Sequence, residues 1–498
     1  MARISLVYPS DGLCYKFARA RTRRMPLGLA YIGAALEQAG HSVKVTDAAL
    51  HDLDIEETVK QALDSDPEFL GIGCTTPLYH QAVAVIDLVK KLSPSTVVIF
   101  GGPHVSALPQ ATLETSKADF VCIGEAEESV VAIIEHVLAK KDPAGITGIA
   151  YNWSGYSGHT KEYRLRLHQS SITTAKAIDL NKCPVPARHL FEYREYMDYS
   201  RDIREPQSGA MFSRGCPGKC AFCGAADTLV RWRNIENIVD DLEAVEAMGI
   251  PNLFIMDDTY TSNKKRVIEL SRAIVKRGIK LNLSVQLRLD QIDREVCDAI
   301  FESGVRYVGP GIESGNEIII KAIGKGPRES KQHMREKVRL LQEYDWKVRC
   351  SYVFGMVDET EAQIMETIEF AKELGADENA FSILVPYPDS PLWAVAKSMG
   401  KVHDHMDFSK FLYYHEIGCN LSAVATERLL ELHEFAYEYV GNAAYKLDDN
   451  SVSSGNRPHV PYLASEAFRQ HREKVRGAKL VSHDQVDLDL LKEVAKPA

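Results

Sequence analysis

The sequence predicts an α/β protein. A doubly wound, Rossmann-like N-terminal domain is followed by a partial (β/α)6 barrel of TIM type and a mostly helical C-terminal region. Three observations predict it: short apolar runs alternate with helical stretches in two separate blocks, the alternation stops between residues 141 and 207, and the strand rhythm ends after about Lys401. The expected organisation is a first domain over 1–140, a linking strap with a hairpin over 141–207, the barrel over 208–400 and a C-terminal substrate or cap region over 401–498. A chain of 498 residues is longer than one hydrophobic core usually organises.

In the first block the apolar runs are Ile4 to Tyr8, Val43 to Val45, Phe69 to Gly73, Val97 to Phe100 and Phe120 to Ile123, which predicts five strands. The first helix is expected to open at Pro26, to carry Leu29, Ile32 and Leu36 on one face and to stop at Gly40, with the next strand starting in His41 to Asp47. Ligands of such sheets bind beyond the carboxyl ends of the strands. The residues there are Thr75, Thr76 and Pro77, then Gly101, Gly102, Pro103 and His104, then Gly124, Glu125, Ala126 and Glu127. Paired glycines let backbone approach a bulky ligand, and the threonines offer hydroxyls, although turn punctuation alone would explain the glycines.

In the strap, Ser154-Gly155 and Ser157-Gly158 mark a hairpin, Pro184 and Pro186 an extended crossing, and Tyr193, Tyr196 and Tyr199 its packing residues.

The second block places strands at Gly209 to Phe212, Leu253 to Met256, Leu281 to Leu287, Tyr307 to Gly311, Val348 to Phe354 and Phe381 to Val385, six in all. Between the last two, Thr360 and Gln363 form a capping box, Ile364, Ile368 and Ala371 share a face, and Gly375 ends the helix. Directly after the first strand come Cys216, Cys220 and Cys223, with Cys-x3-Cys-x2-Cys spacing. Three thiolates can hold three irons of a cubane and leave the fourth iron open, whereas structural zinc and structural iron–sulfur sites want four protein ligands. The next cysteine is Cys297, far along the chain.

Active sites of parallel barrels gather at the carboxyl ends of the strands. There lie Asp257 and Asp258, Gln286 and Arg288, Glu313 and Ser314, Gly355 and Met356, and Pro386 to Pro388. Carboxylates at Asp258 or Glu313 can receive an ammonium or sugar hydroxyls, and Arg288 can answer a carboxylate with its fork. For any one of them a solvated strand end or helix cap fits equally well. Beyond the barrel, Glu427 to Tyr445 reads as a helix, the stretch after Asp448 as a loop, and Tyr413, Tyr414 and His415 as possible pocket residues.

Bulk composition narrows the function. A net charge of -10 and a pI near 5.9 argue against nucleic acid and for a small-molecule substrate. No apolar run reaches the roughly 18 residues of a transmembrane helix, and the start MARISLVYPS lacks a secretory pattern. The expected setting is the reducing cytoplasm. The seven cysteines outside the cluster motif read as packing residues.

The stretches PLGLAYIGAALEQAGHSVKVTD, VVIFGGPHVSALP and DFVCIGEAEESV resemble the cobalamin-binding domain that precedes many radical enzymes. The cysteine motif, with MDDTYT, GIESGNEIIIKAIGKG and VPYPDSPLW, resembles the cobalamin-dependent branch of the radical S-adenosylmethionine superfamily, of the class B methyltransferase type. The resemblance implies a 4Fe-4S cluster on Cys216, Cys220 and Cys223, S-adenosylmethionine on the open iron, and Phe222 against the adenine. It implies cobalamin over Thr75, Thr76, Pro77, Leu78 and Tyr79, near Gly101, Gly102, His104, Gly124 and Glu125, with Asp258, Gln286, Arg288, Glu313, Ser314 and Pro386 near the methionine and ribose.

One departure stands out. Family members with a lower axial histidine carry Asp-x-His-x-x-Gly after strand one, where this chain has Pro9-Ser10-Asp11-Gly12-Leu13-Cys14. That implies a cobalt without a lower nitrogen ligand, which suits delivery of a methyl radical. His104 is then expected as a hydrogen-bonding partner rather than an axial ligand. The implied reaction is methylation of an unactivated carbon through a 5'-deoxyadenosyl radical and methylcobalamin, with a flavodoxin or ferredoxin as reductant. Oxidative cyclisation, ring contraction and deoxygenation stay open as alternatives, as does an empty cobalamin domain. A non-enzymatic cobalamin carrier would leave the three cysteines unexplained.

Overall fold

The computed structural model describes residues 1–10, 24–151, 177–197, 205–326, 329–412 and 417–441. The first sheet is built from β1 (Arg3–Tyr8), β2 (Ser42–Asp47), β3 (Phe69–Gly73), β4 (Val97–Gly101), β5 (Phe120–Cys122) and β6 (Ile149–Tyr151), in the order β2-β1-β3-β4-β5-β6. The first five are parallel and β6 pairs antiparallel with β5. Helices cover both faces, so β3 and β4 read as unbroken apolar runs rather than alternating ones.

The sixth strand corrects the expectation of five. It comes from the GIAYNW stretch that reads as part of the strap, and three residues are too few to show a period of two. The remainder of the expected hairpin, with Ser154 to Gly158, lies outside the described residues, as does Tyr199.

The first helix spans Leu27–Gln38 with Pro26 at its N-cap, and Gly40 (φ 82°) follows its end. Leu29 and Leu36 are buried as expected, and Ile32 is half-buried. The helix is wedged between sheet and strap: a Cβ on Gly33 would come within 2.7 Å of Leu190 Cδ1.

The second sheet contains β7 (Gln207–Ala210), then, after the short antiparallel ribbon β8 (Ser213–Arg214) and β9 (Arg231–Trp232), β10 (Asn252–Ile255), β11 (Asn282–Leu287), β12 (Val305–Glu313), β13 (Lys347–Phe354) and β14 (Glu378–Ile383). The order β14-β13-β12-β11-β10-β7 is fully sequential and every pair is parallel, as expected of a partial barrel wall. All six expected strands are present. Between β13 and β14, the helix Glu361–Leu374 has the Thr360–Gln363 capping box, buries Ile364, Ile368 and Ala371, and ends at Gly375 (φ 58°).

The last described helix spans Thr426–Val440 with Gly441 (φ 82°) at its C-cap, and the rest of the expected helix, to Tyr445, lies outside the described residues. Glycine in the left-handed region ends a helix whatever the apolar pattern around it. This helix lies beside the barrel, on β14 and the helix Glu361–Leu374, with His433 Nε2 2.9 Å from the Phe381 carbonyl and Tyr437 Oη donating to that carbonyl at 2.9 Å. The segment nearer the strand ends is irregular: Phe408, Phe411, Leu412 and Leu421 pack there. Tyr413, Tyr414, His415 and the loop after Asp448 lie outside the described residues. Among the described residues no helix is long and apolar enough to cross a membrane.

The strap fastens one module to the other. Ala187 N–H donates to the Ala30 carbonyl at 3.0 Å, and the next side chain, Arg188, enters the second module. There it donates to Asp241 Oδ1 (2.6 Å), Ser208 Oγ (3.0 Å) and the Gly209 carbonyl (2.8 Å). Asp241 Oδ2 accepts from Arg233 Nη1 at 2.9 Å, and all three side chains are almost wholly buried. A buried carboxylate between two guanidiniums costs heavily when removed, because the cations remain without water or a counter-charge.

A second buried carboxyl closes the turn after β13. Glu359 accepts the Gly355 and Met356 N–H groups at 2.7 and 3.0 Å, while its other oxygen has no hydrogen-bond partner. Burial pushes this carboxyl from 4.5 up to about 7.

Two outcomes are expected. Asp241→Asn should lower unfolding stability by about 3–5 kcal/mol, measured by denaturant titration, whereas alanine at Arg277, an exposed arginine paired with Glu236, Asp240 and Glu243, should change it far less; equal losses would count against a buried anchor. The folded protein keeps the Glu359 proton to a higher pH than the unfolded chain does, so stability from this group is lost as pH rises from 4.5 through about 7. Relative to the parent, Glu359→Gln should therefore gain on the order of 3 kcal/mol across that window, and superimposable pH dependences would refute the assignment.

Candidate active site between the two sheets

The carboxyl ends of both sheets meet across a shared apolar core. Leu78, Tyr79 and Val105 from the first module pack with Ile319, Ile323, Leu384, Trp393 and Phe408 from the second, and Phe222 lies half-buried against the same cluster. His104 sits inside it, nearly inaccessible. Its ring is 4.3 Å from Tyr79 and 4.6 Å from Phe408, and its Nδ1 is 3.3 Å from Thr76 Oγ1. Burial, with His80 nearby, takes its pKa down to about 3, so this ring is neutral.

The crest above is open. Thr75 and Gly124 are exposed while Thr76, Pro77 and Leu78 are buried beneath, and Gly101 and Gly102 are half-buried. Gly102 (φ 108°) lies against β3: a Cβ there would sit 2.4 Å from the Cys74 carbonyl oxygen. An exposed threonine, tight backbone turns and an apolar floor fit a large flat ligand laid over these strand ends. The positions corresponding to Asp11 to Cys14 lie outside the described residues.

Glu125 has a different environment from the one expected of a cofactor contact. Arg231 donates to both its oxygens, Arg214 Nη1 is 3.1 Å from Oε1, and Ile178 N–H donates at 3.0 Å. Against its burial, the Arg231 and Arg214 guanidiniums hold this carboxyl below its ordinary value. Arg214 also pairs with Glu127 at 2.5 Å. Arg214 lies two residues before Cys216, so the end of β5 is bolted to the start of the cysteine loop.

The loop is held from the barrel side by the two aspartates after β10. Asp257, buried, accepts Phe212 N–H at 2.7 Å and Ser213 Oγ–H at 2.6 Å; burial raises it to about 6. Asp258, exposed, accepts Gly215 N–H at 2.8 Å. Within the loop, Thr228 Oγ1 accepts Cys216 N–H at 2.9 Å and Cys223 N–H donates to the Cys220 carbonyl at 3.0 Å. The cysteines are half-buried free thiols with hydrogen-bond donors against two of the sulfurs: Gly218 N–H is 3.3 Å from Cys216 Sγ and Arg288 Nη1 is 3.8 Å from Cys220 Sγ.

Such donors fit thiolate ligands of an iron–sulfur cluster. Among the described residues no three His, Cys, Asp or Glu side chains close on a single metal ion, and a cubane does not require that, because each thiolate binds its own iron.

The remaining strand-end residues fall into two groups. Gln286 and Glu313 border the second sheet's mouth; a Cβ on Gly309 would meet Gln286 Oε1 at 2.4 Å, so the Gln286 amide lies directly over the bare backbone of β12. Glu313 holds a left-handed backbone (φ 67°), unusual for a non-glycine residue, and faces Lys325 Nζ at 3.5 Å. Ser314 is wholly buried and spends its hydroxyl on Thr367 Oγ1 (3.1 Å) and Asn316 N–H (3.1 Å), so it shapes the turn. Pro386 is buried under the Tyr387 turn, which Tyr387 Oη ties to the Phe411 carbonyl at 3.2 Å. Arg288, expected to answer a ligand carboxylate, engages Asp290 and Glu329 instead.

Sequence reading missed Arg214, Arg231, Lys325 and Glu329, and it placed Asp257 at a strand end without giving it a role. Arg214 and Asp257 adjoin residues it chose; Lys325 and Glu329 are four apart in GKGPRES, a spacing that signals pairing only once the fold is known.

Comparison with known proteins bears on this arrangement. Residues 17–134 match the B12 binding domain and residues 211–371 the Radical SAM superfamily. An uncharacterized methyltransferase of Pyrococcus horikoshii is 31% identical over 74% of this chain and 78% of its own length. The cytidylyl-2-hydroxyethylphosphonate methyltransferase of Streptomyces wedmorensis is 26% identical over 74% and 77%. Among solved structures, the radical S-adenosylmethionine methyltransferase TsrM from Kitasatospora setae, with tryptophan and aza-SAM bound, superposes with a TM-score of 0.67 over 96% of this chain and 100% of that one, at 18% identity. That likeness is one of fold. With both modules matched in this order and a relative 31% identical over most of its length, the chain belongs to the cobalamin-dependent radical S-adenosylmethionine methyltransferase family, enzymes that work with a 4Fe-4S cluster, S-adenosylmethionine and cobalamin.

Proposed function

We propose that this member methylates an unactivated carbon of a small molecule, with Cys216, Cys220 and Cys223 as the cluster ligands. The observation that carries the reading is the joining of a cobalamin-type crest to a three-cysteine loop through Arg214 and the Glu125–Glu127 pair. When bound, the cluster and cobalamin supply respectively the electron that cleaves S-adenosylmethionine to a 5'-deoxyadenosyl radical and the methyl group to be delivered.

The chain's own residues bind, orient and exclude water. Asp258 and Glu313 receive the ammonium or ribose hydroxyls, Gln286 and Pro386 border the cofactor, Phe222 covers the adenine, and Ser314 keeps Glu313 in its turn. Thr75, Gly101, Gly102 and Gly124 lie along the corrin side, with Thr76, Pro77 and His104 as the support beneath. The apolar core between the modules keeps water out of the site, which strengthens electrostatic interactions there and limits side reactions of reactive intermediates.

A flavodoxin- or ferredoxin-type protein is the proposed electron donor and the cytoplasm the proposed setting. The nine cysteines among the described residues are all free thiols, in keeping with a reducing compartment.

Two measurements test this. Replacing any of Cys216, Cys220 or Cys223 with alanine should abolish 5'-deoxyadenosine formation, by at least about a thousandfold on the scale of losing an essential group; an alanine variant with full turnover would sink the ligand assignment. Product counting decides the reaction type. Methyl transfer predicts S-adenosylhomocysteine and 5'-deoxyadenosine together, whereas 5'-deoxyadenosine alone would point to cyclisation, contraction or deoxygenation.

A further inference from the structure

Arg288 lies at the end of β11 with its side chain over the cysteine loop. Its Nε donates to Asp290 Oδ1 at 3.0 Å and its Nη2 to Asp290 Oδ2 at 3.1 Å, while Nη2 also reaches Glu329 Oε2 at 2.8 Å. Only Nη1 points elsewhere, toward Cys220 Sγ at 3.8 Å. Glu329 is almost completely buried, and its other oxygen is 3.2 Å from Lys325 Nζ. Lys325 in turn donates to the Gly311 carbonyl at 2.6 Å.

The guanidinium is thus engaged on three of its five N–H donors by carboxylates in the segments that follow β11 and β12. The loop accommodates it closely. A Cβ on Gly218, the middle of the three residues between the first two cysteines, would stand 2.8 Å from Arg288 Nη1 and push the cation away from the sulfur.

A guanidinium whose fork is already filled by carboxylates is badly placed to take a second one from a substrate. It is well placed to stabilise negative charge on a thiolate. Reduction adds an electron to an already anionic cluster, and a fixed cation with an N–H directed at a ligand sulfur stabilises the reduced form more than the oxidised one.

We propose that Arg288 is a positioning residue for the cluster, held against Cys220 by Asp290, Glu329 and Lys325, and that it raises the cluster's reduction potential rather than binding the carboxylate of S-adenosylmethionine. The proposal rests on the cluster reading above.

The test is an EPR-monitored redox titration of the anaerobically reconstituted full-length protein without S-adenosylmethionine, paired with iron and sulfide counts and with S-adenosylmethionine binding to the reconstituted protein. Arg288→Gln should keep the parent's iron content and shift the midpoint to a more negative potential. Arg288→Lys should restore part of the shift by returning the charge without the fork. If Arg288→Gln loses iron, Arg288→Met, of similar length, is read in its place.

An unchanged midpoint with weakened S-adenosylmethionine binding would overturn the proposal and make Arg288 a carboxylate receiver. Loss of iron in the Gln, Met and Lys variants alike would make its role one of loop assembly, and would also overturn it. A parent protein that takes up no cluster would instead bring down the underlying cluster reading.

Discussion

The site depends on carboxylates that hold the cysteine loop from two directions. Asp257 and Asp258 fix its first residues to the end of β10, and Glu125 and Glu127 fix Arg214 to the end of β5. The loop has little regular structure of its own beyond the two-residue ribbon, so its path is set by these contacts and by bare glycines. Removing the carboxylates would leave three cysteines near one another in sequence without a defined relation to the first sheet.

Affinity between the modules and orientation of one against the other come from different interactions. The apolar core of Leu78, Tyr79, Trp393 and Phe408 removes much surface from water but is non-directional. The arginine–carboxylate pairs are directional and bidentate where Arg231 meets Glu125, and they specify register. The strap adds a third tie on the far side, where Arg188 and Arg233 share Asp241. A rigid arrangement of this kind suits chemistry in which two reactive cofactors must address one substrate.

Much of this was legible in the sequence for a physical reason. Parallel strands buried on both faces give continuous apolar runs, and the turns between them carry glycine and proline, so β1 to β5 and all six barrel strands announce themselves. Strand β6 did not, because three residues pairing at an edge carry no period. The cysteine spacing is local and readable. The long-range partners of Arg288 and Glu125 are not, since Glu329 and Arg214 lie 41 and more than 80 residues away, and nothing in an isolated arginine shows whether its fork is filled from within. Glu125 and Ser314 were singled out for their place at strand ends and proved to be committed to other protein groups.

The same contacts set the charge balance at the mouth of the second sheet. Lys325 and Arg288 are two cations set among three carboxylates, Glu313, Glu329 and Asp290, on the side of the loop that faces the cysteines. Two of these groups, Lys325 and Glu329, are almost fully buried, where charges are weakly screened and an excess of one sign is felt strongly. Burial pushes the Glu313 carboxyl up, so the cations Lys325 and Arg288 face Glu329 and Asp290 as their main counter-charges. The charges on that side of the loop are therefore largely spent on one another, and Arg288 can hold Nη1 on Cys220 only as long as Asp290 and Glu329 keep the rest of its fork occupied.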